Sequence, residues 1–118
     1  MSDFLTHHRD GKLRIVVTSG SRRGITTPEV PTIADLGHPD QASFGFYAFY
    51  APAGTPAPVI AALNAELSAA TMEPEVKSQL LAIGLEPEVS TSNELGKLLA
   101  EDIERWRPVV EKSGFRVD

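Results

Sequence analysis

The chain reads as one α/β unit, a small mixed sheet of a few strands with helices packed on it. Three observations carry that expectation. Leu13-Arg14-Ile15-Val16-Val17 is a short β-branched run, Phe44–Tyr50 alternates with three Phe and two Tyr, and from Pro56 apolar residues recur at helical spacing. A purely parallel sheet is disfavoured, because a long connection after the first strand and a proline in the last permit antiparallel pairing.

The elements follow in order. Residues 3 to 9 have the character of a helix end, with Gly11 as its stop before the strand over 13–17. Residues 19–31 concentrate Ser, Gly, Thr and Pro around Arg22 and Arg23, which predicts a long connection of the kind that often carries function. Thr32 can cap one or two turns through Leu36, and His38-Pro39-Asp40 continues the turn chemistry to the aromatic strand. Pro52 and Gly54 end that strand, and Thr55-Pro56 offers an N-cap and a first-turn proline.

In the helix that follows, Val59, Ile60, Leu63, Leu67 and Ala70 form the expected buried face, with Asn64, Glu66 and Ser68 towards water. Glu73-Pro74 restarts a helix in which Val76, Leu80 and Leu81 face inward until Gly84. Leu85–Val89 allows a short edge strand, since Pro87 has no ladder donor. Thr91 and Glu94 have the spacing of a capping box. Leu95, Leu98, Leu99, Ile103 and Trp106 then make the apolar stripe of a last helix, which Pro108 should kink or interrupt before its end near Lys112.

A length of 118 residues, with no repeat or linker, suits a single domain over 1–118. A net charge of −5 with interspersed signs lacks the basic footprint that nucleic acid requires. The absence of cysteine excludes disulfides and thiolate metal sites. No apolar run approaches the length of a membrane span, and Met1-Ser2-Asp3-Phe4 lacks the basic and apolar regions of a secretory signal, so the chain as written is expected in the cytoplasm.

Several motifs occur in a telling order: Gly11-Lys12-Leu13-Arg14, Pro28-Glu29-Val30-Pro31-Thr32 with Gly37, Ala51-Pro52-Ala53-Gly54-Thr55-Pro56, Asn64-Ala65-Glu66, Pro74-Glu75-Val76, Gly84-Leu85-Glu86-Pro87 and Arg105–Phe115. Together they resemble the C-terminal portion of the Bug-type substrate-binding proteins of tripartite tricarboxylate transporters. The resemblance implies a partial periplasmic-binding-protein lobe of the type II-like kind, corresponding to the last third or so of longer, two-lobed proteins that begin with a signal peptide. It further implies a periplasmic location, a small carboxylate ligand and membrane transporter subunits as partners. Two departures bear on the ligand. The aromatic motif that usually reads Trp-Tyr-Gly or Trp-Phe-Gly is Phe46-Tyr47-Ala48 here, and Tyr50 is bulkier than the usual aliphatic residue.

Candidate site residues are Ser19, Phe46 and Tyr47 for ligand and Thr18 and Ser19 for a hinge. Ser19, Gly20 and Ser21 follow the first strand, where open α/β sheets collect ligands, and with Arg22 and Arg23 they could hold a carboxylate; a solvated basic loop is the competing reading. The resemblance places Thr18 and Ser19 near an interlobe crossing, which suits a hinge. It places Phe46 and Tyr47 beside the ligand cleft, and strand alternation lets at most one of them line it while the other packs in the core. His7, His8, His38 and Asp40 lack the arrangement of a metal site, and no cofactor is expected. No Ser or Thr sits in a nucleophile motif, so catalysis is not expected. Arg105 and Arg107 flank Trp106 as surface residues, and Glu101, Asp102 and Glu104 serve solubility.

Two functional classes result. One is a non-catalytic solute-binding module or a fragment of one. The other is a truncated interaction protein that forms a homodimer through its aromatic strand.

Overall fold

The computed structural model describes residues 2–116 and is about half helical. Helix α1 spans Ser2–Arg9, α2 Ala57–Met72, α3 Pro74–Ala82 and α4 Ser92–Ser113, with a 3-10 turn at Pro39–Gln41. Helices α3 and α4 both pack on α2. Between α1 and α2 lie nearly fifty residues of extended chain and turns.

The expected sheet is not formed. Among the described residues there is no strand, and the β pairing is an isolated parallel bridge between Thr18 and Thr32. Thr18 N–H donates to the Pro31 carbonyl at 3.0 Å, and Ile33 N–H to that of Thr18 at 2.7 Å. Ser43 N–H reaches the Ser19 carbonyl at 2.7 Å, and the ladder ends there. Residues 14–17, 44–50 and 85–89 are all without strand assignment. Their composition favours a pleated, half-covered surface, but that preference is realised only against a neighbouring strand.

Helix boundaries follow local chemistry closely. Gly11, with φ of 71°, ends the chain's turn away from α1, where its N–H donates to the His8 carbonyl. Gly84, with φ of 79°, closes α3 in a Schellman arrangement, its own N–H on Leu81 O and that of Leu85 on Leu80 O. At α4 the capping box is complete: the Thr91 hydroxyl accepts from Glu94 N–H at 3.2 Å, and the Glu94 carboxylate accepts from Thr91 N–H at 2.8 Å. Pro108 does not interrupt α4, which runs on to Ser113. Thr55 is not the cap of α2; its hydroxyl donates to the Pro52 carbonyl, and Pro56 takes the cap position. The turn after Thr32 is a single one, closed by reciprocal bonds in which the Thr32 hydroxyl accepts from Asp35 N–H and Asp35 accepts from Thr32 N–H.

Burial is sparse. Leu5, Thr27, Val30 and Thr32 are the fully covered residues among those described. The expected helix faces are only partly covered: Ile60, Leu67, Leu80, Leu81, Leu95, Leu98 and Leu99 are half-buried, whereas Val59, Leu63, Ala70, Val76, Ile103 and Trp106 are exposed. Asn64, expected towards water, is half-buried and donates to the Ser90 carbonyl at 2.9 Å. Total accessible surface is 9115 Å², against about 6,200 Å² for a compact folded chain of this mass. The radius of gyration of 17.1 Å likewise exceeds the ~13.5 Å of a compact domain.

The α4 cap sets a measurable dependence on pH. Hydrogen bonds from the Thr91 backbone N–H first, and its hydroxyl second, lower the Glu94 pKa. The folded value lies below the unfolded one, so this contribution is present above the unfolded pKa and is lost as pH falls through the folded one. Thr91→Ala should cost ~1 kcal/mol in urea denaturation followed by helical circular dichroism. It should also make the loss of helix on acidification shallower; equal acid slopes in the two proteins would refute this role for the cap.

Candidate functional site

The aromatic segment resolves into two faces. Phe46 and Ala48 are half-buried, whereas Tyr47 is 86% exposed and Phe49 76%. Period-two alternation accounts for the split. Phe46, with Phe44, lines a groove of about 170 Å³ whose other wall is Leu98, Glu101, Asp102 and Arg105 of α4. Arg105 ties the segment down by donating to the Ala42 carbonyl. Of the two aromatic candidates, Phe46 thus faces the helix and Tyr47 faces outward. Asp102 does more than confer solubility, since it is half-buried and accepts from Trp106 Nε1 at 3.1 Å. Arg107 is paired with Glu104 at 2.7 Å.

The candidate hinge lies where the bridge gives way to the connection. Thr18 is held on both sides by the bridge bonds, and Ser19 is exposed with its carbonyl engaged by Ser43. The two arginines that follow are committed to acids of the same chain. Arg22 pairs with Glu86 at 3.1 Å and with Glu88, while Glu86 also accepts from Ile25 N–H at 2.5 Å. Arg23 pairs with Asp35 at 2.9 Å and donates to the Pro28 carbonyl at 3.2 Å. The Thr32 backbone N–H, and then the Arg23 guanidinium, lower the Asp35 pKa. The loop is a solvent-exposed clasp in which the charges of Arg22 and Arg23 are paired with acids of residues 86–88 and with Asp35. Sequence reasoning missed Glu86 and Glu88 because their partners lie 61 to 66 residues away, with no local pattern to link them.

A second cavity of about 320 Å³ is lined by His8, Arg14, Ile15, Val16, Glu29, Val30 and Pro31. His8 Nδ1 accepts from Ile15 N–H at 3.4 Å, which leaves Nε2 to donate to Glu29 at 3.2 Å. The Glu29 pKa is lowered, first by its own backbone N–H and next by His8. His8 thus pins the end of α1 to the loop. No group of three or more potential metal ligands occurs among the described residues, and no helix there is long and apolar enough to cross a membrane.

Comparison with known proteins identifies the relatives of this arrangement. Residues 2–115 match the family described as the tripartite tricarboxylate transporter family receptor. Protein BugT of Bordetella pertussis is 32% identical over 117 residues, covering 99% of this chain and 36% of that protein. A UPF0065 protein in the tcbD-tcbE intergenic region of a Pseudomonas species is 30% identical over 115 residues, covering 93% of this chain and 34% of its own length. Another UPF0065 protein, from the gbd 5' region of Cupriavidus necator, is 29% identical over 107 residues, 89% of this chain and 32% of its own. The chain thus spans about a third of the length of these relatives.

The clasp predicts a protease signature. Glu86→Gln removes the charge that holds Arg22 and weakens the bond to Ile25 N–H, so trypsin should cleave after Arg22 and Arg23 several-fold faster, with cleavage after Lys97 on α4 unchanged. Equal rates at the two arginines would show that Glu86 does not hold the loop.

Proposed function

The chain belongs to the tripartite tricarboxylate transporter receptor family, and from that premise we propose that it forms part of a non-catalytic receptor that captures a small carboxylated solute for membrane uptake. The observation that carries this reading is the family match over residues 2–115, nearly the whole chain. The family implies a periplasmic-binding-protein fold, a periplasmic place of work and membrane transporter subunits as partners. This chain supplies a portion of such a receptor, and its chemistry is recognition without reaction.

The side chains support a division of labour. Arg22 and Arg23 are held by Glu86, Glu88 and Asp35, so carboxylate recognition falls to backbone N–H groups, hydroxyls such as that of Ser19, and the exposed phenol of Tyr47. Tyr47 offers a flat apolar body with a polar tip, which suits a small organic acid. Phe46 packs on α4 and holds the segment in place, a positioning role. Rotation between lobes would begin at Ser19, beyond the bridge that fixes Thr18. The aromatic segment, whose N–H groups bond to no neighbouring strand among the described residues, favours a second reading in which two copies of the chain associate through Phe44–Tyr50 in place of ligand binding.

Calorimetry with a panel of small mono-, di- and tricarboxylates tests the receptor reading. The chain alone should bind none of them at millimolar affinity or better, because it forms only part of the enclosing cleft. A chimera in which residues 2–115 replace the matched third of the Bordetella pertussis relative should bind a member of the panel. Tyr47→Ala in that chimera should weaken binding about tenfold, in line with loss of a buried aromatic contact, while Phe46→Ala should lower its melting temperature. A folded chimera with no carboxylate affinity would contradict the proposal.

A further inference from the structure

His8 joins three segments of the chain through one imidazole. The ring stands on the last turn of α1, its Nδ1 accepts from Ile15 N–H at 3.4 Å, and its Nε2 donates to Glu29 at 3.2 Å. Only the neutral ring with its proton on Nε2 makes both bonds. The side chain is 17% exposed and borders the cavity of about 320 Å³, so water reaches it without the fold opening.

We propose that protonation of His8 releases Ile15 while keeping Glu29, so that residues 14–17 slacken between two fixed points in acid. The step moves one proton from water to Nδ1. An imidazolium has two N–H donors and no acceptor, so Nδ1 then meets Ile15 N–H donor to donor. No other described group accepts from Ile15 N–H. This bond already exceeds the usual length of roughly 2.7–3.2 Å, and it is the one that yields. The contact with Glu29 becomes charge-assisted and strengthens. On one side of the slack, Lys12 and Leu13 N–H donate to the His7 carbonyl at 2.9 and 3.3 Å; on the other, Thr18 is held by its bridge to Thr32. Neither attachment contains a titratable group.

The charges around the ring act in both directions. Glu29 favours the cation, and its lowered pKa, set first by its own backbone N–H and next by His8, keeps it ionised over the range in which histidines titrate. The C-terminal end of α1 favours the cation as well. Arg9 on α1 and Arg14 on the facing segment oppose it, Lys12 is paired with Asp10 at 3.0 Å, and His7 is exposed. The slack lies immediately before Thr18 and Ser19. Its cause is local, so the device is independent of the receptor reading.

Nuclear magnetic resonance on the full chain between about pH 8 and pH 5 tests the device. Ring 15N shifts report the state of His8, and amide exchange of Ile15 and Leu13, relative to unfolded-chain rates, reports the two attachments. Neutral His8 should carry its proton on Nε2. Ile15 should lose protection several-fold with the midpoint of the ring's own titration, while Leu13 keeps its protection. Glu29→Gln removes an exposed charge and should move both midpoints together to lower pH. His8→Asn puts a non-titrating carboxamide oxygen near the position of Nδ1 and should make Ile15 protection independent of pH. A neutral ring protonated on Nδ1, an Ile15 amide unprotected at pH 8, protection unchanged through the titration, or joint loss at Ile15 and Leu13 would overturn the proposal.

Discussion

Backbone hydrogen bonding at the extended segments governs this structure. A peptide group removed from water must find a partner, and a strand finds its partners on neighbouring strands. Here Thr18 and Thr32 make one bridge, Ser43 reaches Ser19, and the aromatic segment then continues without a ladder. Among the described residues the remaining groups of these segments join no ladder, and α3 and α4 pack on α2 instead of on a sheet. Val59, Leu63, Ile103, Tyr47 and Phe49 are exposed alongside these unpaired segments, and the radius of gyration is 17.1 Å.

Where the chain supplies both halves of an interaction, it is well specified. Arg22 and Arg23 each find acids, Asp35 closes its turn with Thr32, and His8 joins α1 to Glu29. Exposed ion pairs of this kind contribute little to stability individually. Their effect is positional: they join the long connection at residues 20–26 to residues 86–88 and to Asp35.

The reach of sequence reasoning tracks the range of the interactions involved. The Thr91 and Glu94 box, the Gly84 stop, the restart at Pro74 and the span of α4 depend on residues within one turn, and each was legible. Pro108 does not interrupt α4, which continues on both sides of it to Ser113, so a local clash does not decide the boundary. Thr55 was misread because its hydroxyl had a nearer acceptor in Pro52. The strands failed for a different reason: alternation at Phe44–Tyr50 predicted a strand, and although Phe46 and Ala48 are half-buried between exposed neighbours, no strand forms, because pairing is a property of two segments. At the candidate site, alternation separated Phe46 from Tyr47, whereas the clasp of Glu86 and Glu88 on the loop left no local trace.

Backbone amide exchange on the chain is the most direct measurement of that deficit. Val16, Val17 and residues 44–50 should exchange at rates near those of an unfolded chain, while amides in the middle of α4 remain protected. Strong protection of residues 44–50 would mean that they have found a ladder, and the account of an unpaired segment would be wrong.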